Sequence, residues 1–355
     1  MAMIVLVDGN SLVHRAFHAL PPLTSPKGEL TNATYGFTMM LLKAIDDLHP
    51  THIAAAFDTP RPTFRHERFD AYKGTRAPTA DGLRPQFPRV LEVLDVLHIP
   101  VFRQDGLEAD DLLGTLADLA AAQEMDVIVI TGDTDALQLV GPRVRVLTPR
   151  RGLTDTVIYD ADAVRERYGL EPAQLVDLRA LRGDVSDNIP GVPGIGEKTA
   201  AKLLATYGDI EAIIASLDKL PVRQADQLRP FVDQMRMARD LAAIVRDAPI
   251  EVDFAQCVAR PADRDRALPL FHDLGFRTLV DRLPTERTGL VPSQTSRAGS
   301  SSSPTNGRGS SGGAQQATLF DQPPSREPSS VAAPARMEGD GRLLLTVEEL
   351  RGFAE

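Results

Sequence analysis

The sequence predicts an α/β fold in which a mostly parallel central sheet is flanked by helices and followed by a helical subdomain and a disordered linker. Short apolar runs, typical of buried strands, alternate with Leu- and Ala-rich segments whose apolar residues have helical spacing. Beyond about residue 160 the strand pattern fades and helical patterns dominate. Residues 285–336 are rich in Ser, Gly and Pro and cannot bury enough apolar surface to fold.

The order of these patterns gives the predicted elements and regions. Strands are expected at 3–7, 52–57, 99–102 and 126–130, and helices at 35–48, 88–97, 173–183, 196–208 and 235–245. We expect a core over 1–160 with a basic segment at about 61–90, a helical subdomain over 161–284, a linker over 285–336, and the start of an incomplete domain over 337–355.

Composition restricts the class of protein. The 355 residues are 43% hydrophobic and 25% charged, as in a soluble globular protein. Cys257 is the single cysteine, which excludes an intrachain disulfide and fits a reducing cytoplasm. The sequence has no 18-residue apolar stretch and its N-terminus lacks the features of a signal peptide. We therefore expect a cytoplasmic protein with no membrane partner.

The net charge of −10 argues against a nucleic-acid partner only if charge is spread evenly. From Arg61 to Arg89 the chain carries seven basic residues against three acidic ones. This basic segment, which we define as residues 61–89, can bind phosphates although the whole chain is acidic. The alternative is a solvated, charged helix face, the usual environment of a charge run.

Carboxylates follow every predicted strand. They are Asp8, Asp58, Glu108, Asp110, Asp111, Asp133 and Asp135. A single acid in such a place is more often a helix N-cap or a turn residue, and acids in a first helical turn also favour the helix dipole. The carboxyl ends of parallel strands share one edge of a sheet, however, so all seven should converge there. Such a cluster resists joint ionisation unless a cation shares it.

The donor set indicates which cation this would be. Oxygen ligands without His or Cys select a hard ion, Mg²⁺ or Mn²⁺. Two such ions a few ångströms apart suit phosphodiester hydrolysis, because they activate water and stabilise charge on the phosphorane oxygens. The sequence has no Cys/His pairing, no Gly-x-Ser-x-Gly elbow and no Gly-x-x-x-x-Gly-Lys loop, which disfavours covalent catalysis and nucleotide hydrolysis of those kinds.

A second acidic pair, Asp184 and Asp187, precedes a glycine-rich hairpin, "GVPGIG". Glycines allow close approach of the backbone to a phosphate, and lysines at the start of the next helix can assist. The residues concerned are Gly194, Gly196, Lys198 and Lys202. The alternative is an ordinary turn between helices. Together with the two acids, the hairpin predicts a clamp that holds a duplex backbone without reading sequence.

These motifs together resemble a known family. The stretches "VDGNSLVHRAFHALPP", "AAFDTPRPTFRHERFDAYKGTRAPTADGLRPQ", "GLEADDLLGTLA", "ITGDTDALQLV" and "GDVSDNIPGVPGIGEKTAAKLL" are similar to the 5′-nuclease domain of bacterial DNA polymerase I, in the flap endonuclease superfamily. The resemblance covers residues 1 to about 284. It implies a PIN-like nuclease core, a helix-hairpin-helix element, and structure-specific cleavage of 5′ flaps, nicks and RNA-primer ends in replication and repair.

The resemblance also implies roles for the acids. Asp58, Glu108 and Asp110 resemble the first metal site, which Asp8 contacts through water. Asp133, Asp135 and Asp187 resemble the second metal site. Asp111 and Asp184 match additional acids of bacterial members.

Further implied roles fall on the basic segment and the hairpin. The basic segment resembles the helical arch of the family, in which Lys73 and Arg76 approach the scissile phosphate with Tyr72 beside them. Arg15 is a further expected phosphate contact, and the hairpin resembles an element in which K⁺ bridges backbone carbonyls and DNA phosphate.

The sequence also predicts protein partners and leaves two alternative functions open. Residues 316–320, "QATLF", are similar to peptides that engage the sliding clamp, although chance can produce such a match. A DNA polymerase is an expected partner in cis or in trans, and we expect no polymerase domain within these residues. The alternatives are a non-catalytic scaffold that binds DNA junctions and an RNA-directed nuclease of the PIN type. We also expect association with the nucleoid.

Overall fold

The computed structural model describes residues 2–153 and 155–285. Within these residues six strands form one sheet in the order β3-β2-β1-β4-β5-β6. The strands are β1 Met3–Asp8, β2 His52–Ala56, β3 Val101–Phe102, β4 Asp126–Ile130, β5 Val144–Arg151 and β6 Asp155–Tyr159. All neighbours pair in parallel except β6, which is antiparallel to β5. The predicted α/β class is therefore confirmed.

Helices cover both faces of the sheet. They are α1 Gly9–Ala19, α2 Asn32–Leu48, α3 Phe64–Arg68, α4 Gln86–Val96, α5 Ala109–Ala122, α6 Ala161–Tyr168, α7 Leu175–Arg182, α8 Glu197–Tyr207, α9 Ile210–Ala215, α10 Val222–Leu228, α11 Val232–Ala242 and α12 Arg264–Leu274. Short 3-10 helices, including Thr134–Leu139, connect some of them. In the part of the chain that the structure describes, no helix combines the length and apolar character needed to cross a bilayer.

The sheet separates two hydrophobic cores because successive side chains of a strand point to opposite faces. On β1, Val5 and Val7 belong to the core formed with α1, α2, α4 and α12, whereas Ile4 and Leu6 belong to the core formed with α5 and the helices from α6 to α11. Both sets are buried, as expected for a parallel strand covered on both faces. The strand ends, where the acids lie, are thus fixed from two sides.

Two strands were not predicted from the sequence, and one is shorter than predicted. Strand β6 has an exposed, alternating pattern because it lies at the edge of the sheet, and β5 mixes Arg with Val. Strand β3 shrinks to Val101–Phe102, because Pro100 has no N–H to donate although its carbonyl accepts from Ala55. Residues 316–320 and the predicted linker beyond residue 285 lie outside the described residues.

The glycine hairpin lies between α7 and α8 and is held closely against the end of α7. A methyl group on Gly191 would lie 2.2–2.4 Å from backbone atoms of Arg182 and Gly183. Gln234 donates from Nε2 to the Gly191 carbonyl at 2.9 Å, and Gln227 donates to the Pro193 carbonyl at 2.6 Å. The hairpin therefore has a fixed position, set by contacts on both sides.

We predict that Gly191→Ala lowers the free energy of unfolding by about 1 to 3 kcal/mol, because backbone atoms must move to admit the methyl group. Gly141→Ala is the matched control, since a methyl group there meets only the Leu139 carbonyl oxygen, at an ordinary contact distance of 3.9 Å. Urea unfolding followed by circular dichroism measures both. Equal stability of the two variants would contradict the close contact.

Candidate active site

Five of the seven strand-end carboxylates line one open cavity at the carboxyl edge of the sheet. They are Asp8, Asp58, Glu108, Asp110 and Asp133, and the cavity has a volume of about 300 Å³. Lys73 and Arg76 of the basic segment line the same cavity, as do Asn10 and His14. The fold thus brings strand-end acids and cationic side chains together in one cleft.

Several of these acids cap helices, which is one of the two interpretations left open by the sequence. Asp8 accepts from the Ser11 amide at 2.9 Å and caps α1, and Asp133 accepts from the Asp135 amide at 2.9 Å. Asp58 accepts from the Ala109 amide, the first residue of α5, at 2.7 Å. A carboxylate has four lone pairs, so a capping bond fixes its orientation and leaves acceptors free.

Burial makes two of these acids, Asp8 and Asp110, costly to ionise. Burial, aided by the charges of Asp58 and Asp133, raises the pKa of Asp8 from 3.8 to about 7, although hydrogen bonds from Thr131 and Ser11 oppose the shift. Burial and the charges of Asp8 and Asp133 likewise raise the pKa of Asp110 well above its ordinary value.

Asp110 gives the clearest indication of what the cleft can hold. Its Oδ1 atom is buried and has no hydrogen-bond partner among the residues that the structure describes. A buried, unpartnered carboxylate oxygen surrounded by other carboxylates suits a hard divalent cation. The donor set therefore fits the metal class expected from the sequence.

Asp135 and Asp184 form a second acidic group, arranged around Arg179. The Arg179 side chain is 4% exposed, contacts Asp135, and lies 3.4 Å from Asp184 Oδ2. Burial raises the pKa of Asp135 to about 8 against the opposing charge of Arg179. For Asp184, burial is outweighed by a hydrogen bond from Ser186 and by the Arg179 charge, which lower its pKa.

Asp187 lies against the basic segment. Arg76 Nη2 contacts Asp187 Oδ1 at 2.5 Å, and Lys73 Nζ contacts Glu108 Oε1 at 2.8 Å. Burial would lower the pKa of Lys73, but the charges of Glu108 and Asp187 outweigh it and raise this pKa. Lys73 and Arg76 are therefore charged residues held at the cleft by its own carboxylates.

Tyr72 differs from the sequence expectation of a DNA contact. Its side chain is buried, and its hydroxyl donates to Glu108 Oε2 at 3.0 Å and to Asp187 Oδ2 at 2.9 Å. Burial, followed by the charges of these two carboxylates, raises the pKa of the Tyr72 hydroxyl. Tyr72 thus links the cleft carboxylate Glu108 to Asp187, which precedes the hairpin.

Asp111 also differs from the metal role suggested for it. It is fully buried, and its two oxygens accept from the Arg65 guanidinium at 2.7 and 2.8 Å and from the amides of Glu108 and Val245 at 3.0 and 2.9 Å. These contacts make Asp111 an ion-pairing and helix-capping residue behind the cleft.

Within the described ranges, 2–153 and 155–285, no group of three or more His, Cys, Asp or Glu side chains is arranged to hold a metal ion by itself. Glu108 contacts Lys73, Asp187 contacts Arg76, and Asp135 contacts Arg179. Cations of the same chain therefore pair with some of the acids at this edge, whereas Asp110 keeps an oxygen without a hydrogen-bond partner among the described residues.

The remaining predicted contacts lie around this cleft. Arg15 donates to the Gly152 carbonyl at 3.2 and 3.1 Å and lines a neighbouring cavity with His14 and His18. Gly194 has a φ of +80°, which favours glycine, and Gly196 caps α8. Lys198 and Lys202 are exposed on α8.

Sequence reasoning did not single out the partners that orient the acids. Arg65 and Arg179 are buried ion-pairing residues, and Thr131 donates to Asp8 Oδ2 at 2.6 Å. Asn10 accepts from the Asp58 amide at 2.9 Å. The one available signal was an arginine among apolar residues in a predicted buried helix, as in "LVDLRALRG", because such a charge needs a partner.

This architecture defines a class. A mostly parallel sheet with carboxylates at its strand ends, beside a basic segment and a glycine hairpin, agrees with the nuclease class that the sequence resemblance implies. The family model described as 5′-3′ exonuclease, N-terminal resolvase-like domain, matches residues 3–169, and that described as 5′-3′ exonuclease, C-terminal SAM fold, matches residues 170–265. The chain belongs to the 5′-3′ exonuclease family, whose members are phosphodiester hydrolases.

Individual relatives agree with the family. The chain is 46% identical over 281 residues to DNA polymerase I of Bacillus caldotenax, covering 79% of this chain and 32% of that protein. It is 46% identical over 282 residues to DNA polymerase I of Mycobacterium tuberculosis, covering 79% of this chain and 31% of the relative. The chain thus spans about a third of the length of these relatives.

Solved structures support the same fold. T5 5′-exonuclease with bound divalent zinc has a TM-score of 0.55 at 23% identity, over 68% of this chain and 89% of that chain. The T5 flap endonuclease in a complex with DNA and metal ions has a TM-score of 0.56 at 21% identity, over 79% of this chain and 97% of that chain. The catalytic core of Rad2 with DNA substrate has a TM-score of 0.53 at 18% identity, over 79% of this chain and 93% of that chain.

We predict that Asp8→Asn makes the metal-free protein more stable than wild type above pH 7. The pKa of Asp8 is about 7 when folded and near 3.8 when unfolded, so the folded state binds the proton more tightly. Wild-type stability therefore falls as pH rises from about 4 to about 7, and Asn removes this loss of up to about 4 kcal/mol. The Asn oxygen can still accept from the Ser11 amide, and its NH₂ group can donate to the Thr131 hydroxyl, from which Asp8 accepts.

Urea unfolding in EDTA between pH 5 and 8 measures this difference. Asp118→Asn is the matched control, because Asp118 is in an exposed ion pair with Arg246. Curves for wild type and Asp8→Asn that stay parallel across this range would contradict the assigned burial of Asp8.

Proposed function

We propose that this chain is a structure-specific 5′-3′ exonuclease and 5′ flap endonuclease that hydrolyses phosphodiesters of DNA and of RNA-primer ends. The observation that carries the proposal is the cleft itself, where five carboxylates, including the unpartnered Asp110 oxygen, adjoin Lys73 and Arg76. Family membership supports the reaction class, and the DNA in complexes of the T5 flap endonuclease and of Rad2 supports the substrate class.

The carboxylates would hold two divalent ions, Mg²⁺ or Mn²⁺. We assign Asp58, Glu108 and Asp110 to the first ion, with Asp8 acting through water, and Asp133, Asp135 and Asp187 to the second, with Asp184 beside them. Asp111 is left out, because its oxygens are used by Arg65 and by two backbone amides. When bound, the two ions supply a water of lowered pKa and stabilise the charge of the transition state. The zinc in T5 5′-exonuclease supports a divalent requirement.

The basic segment acts on the reacting phosphate. Lys73 and Arg76 contact Glu108 and Asp187, carboxylates that we assign to different ions. Once cations neutralise these carboxylates, the two side chains are available to bind the non-bridging oxygens of the scissile phosphate. Arg15, on the rim of the neighbouring cavity, binds a further phosphate.

The hairpin holds the duplex portion of the substrate. Its fixed backbone at Gly194 and Gly196, with exposed Lys198 and Lys202 on α8, suits phosphate contacts that carry no sequence information. A K⁺ ion at the hairpin carbonyls is part of this proposal. In this proposal the nuclease core over 1–160 cleaves the substrate, and the helical subdomain over 161–284 binds its duplex portion.

Wider partners follow from the substrate. A DNA polymerase, in cis or in trans, would extend the strand whose displaced 5′ end this chain removes, and such work places the protein at the nucleoid in the cytoplasm. Engagement of the sliding clamp through residues 316–320 stays a prediction from the sequence. The alternative function, a non-catalytic scaffold for DNA junctions, is separated from the nuclease by the first experiment below.

We predict that wild-type protein releases a short 5′ product from a 5′-labelled flap duplex in Mg²⁺ and none in EDTA. Asp133→Ala should slow release at least about 100-fold, since changes outside the ligand set alone cost about 10- to 100-fold. Binding of the flap duplex, measured by fluorescence anisotropy, should persist in the variant. Asp118→Ala is the control, and a wild type that binds without cleaving would favour the scaffold.

We predict that Lys73→Ala slows single-turnover cleavage about 100- to 1,000-fold, because a charged donor at the reacting phosphate is lost. Duplex affinity should change much less, since docking uses many other phosphate contacts. Lys43→Ala is the control, because Lys43 pairs with Asp47 on the surface of α2. Equal losses of rate and affinity would make Lys73 a docking residue.

A further inference from the structure

The guanidinium of Arg65 is a buried cation that joins separate parts of the fold. Arg65 lies in α3 and is 3% exposed. Its Nη1 and Nη2 atoms donate to Asp111 of α5 at 2.7 and 2.8 Å in a two-pronged ion pair. Its Nε and Nη2 atoms also donate to the carbonyls of Leu241, in α11, and Ala243, which follows it, at 2.8 and 2.7 Å. Such paired geometry fixes orientation as well as charge.

Asp111 extends this connection to the first turn of α5. It accepts from the Glu108 amide at 3.0 Å and from the Val245 amide at 2.9 Å, in addition to Arg65. The start of α5 and the chain just after α11 are therefore bound to the same carboxylate. Because both charges are out of water, neither partner can leave without exposing the other as an unpaired buried charge.

The connection reaches the cleft at Glu108. Arg65 Nη1 lies 3.6 Å from Glu108 Oε2, and the Glu108 amide is held by Asp111. Glu108 is thus held at its amide by Asp111 and faced at one carboxylate oxygen by Arg65. Tyr72 and Lys73 hydrogen-bond the two Glu108 oxygens from the other side, so Arg65 and Asp111 complete the set of contacts that orient this carboxylate.

We propose that Arg65 is a positioning residue: through Asp111 it sets the orientation of Glu108 according to where α11 ends. The orientation of the cleft carboxylate Glu108 therefore depends on the position of the helical part of the chain, which carries the hairpin. The inference rests on the proposed nuclease function. It assigns no contact with substrate to Arg65, which is buried behind the cleft.

The test uses the full chain with Arg65→Met/Asp111→Asn, which removes both charges together and retains an acceptor for the Glu108 amide. Arg65→Lys is the conservative variant, which keeps the charge and loses the two-pronged geometry. Arg246→Met is the matched control, because Arg246 and Asp118 also join α5 to the chain after α11, but on the surface. The measurements are thermal unfolding, Mn²⁺ affinity by calorimetry without DNA, single-turnover flap cleavage in Mg²⁺, and duplex affinity in EDTA.

The double variant should bind Mn²⁺ about 10-fold more weakly and cleave about 10- to 100-fold more slowly, with unchanged duplex affinity. Arg65→Lys should fall between it and wild type, and Arg246→Met should match wild type. Mn²⁺ affinity and cleavage within twofold of wild type in the double variant and in Arg65→Lys would overturn the proposal, as would equal losses in Arg246→Met. If the double variant does not fold, Arg65→Lys decides alone. A wild type that binds Mn²⁺ but cleaves nothing would refute the nuclease function, while Mn²⁺ affinity would still test Arg65.

Discussion

The balance of charge among carboxylates gathered at one edge of the sheet is the constraint on which the rest of this structure depends. The parallel sheet places acids from different strands at one edge, and burial makes Asp8 and Asp110 harder to ionise. Cations must therefore be supplied nearby. The chain supplies its own in Lys73, Arg76 and Arg179, each of which pairs with an acid at or beside the cleft.

This balance explains why the same residues serve both the fold and the chemistry. Asp8 and Asp133 cap the helical segments that follow them, so their orientation is fixed by local hydrogen bonds before any ligand arrives. Tyr72 and Arg65, which belong to the basic segment, then contact the Glu108 carboxylate. Each link is local or buried, which keeps an acidic cleft in one arrangement without a large apolar pocket around it.

The sequence predicted the fold class and the main buried strands, but fewer of the contacts between side chains. Strands β1, β2 and β4 were predictable because their apolar runs are fully buried, whereas the exposed edge strand β6 has no such pattern. Asp8 and Asp58 were predictable from their places after strands. The roles of Arg65, Asp111 and Tyr72 were not, because they depend on contacts between residues far apart in the chain, such as Arg65 with Leu241.

The length of chain between those contacting residues has a consequence for synthesis. Arg65 and the Leu241 carbonyl are separated by 176 positions, and Tyr72 and Asp187 by 115. A polypeptide still emerging from the ribosome contains Arg65, Tyr72 and Glu108 long before it contains Asp187 and Leu241, which hold Tyr72 and Arg65. The contacts around the cleft are therefore completed late in translation, after most of its carboxylates have been made.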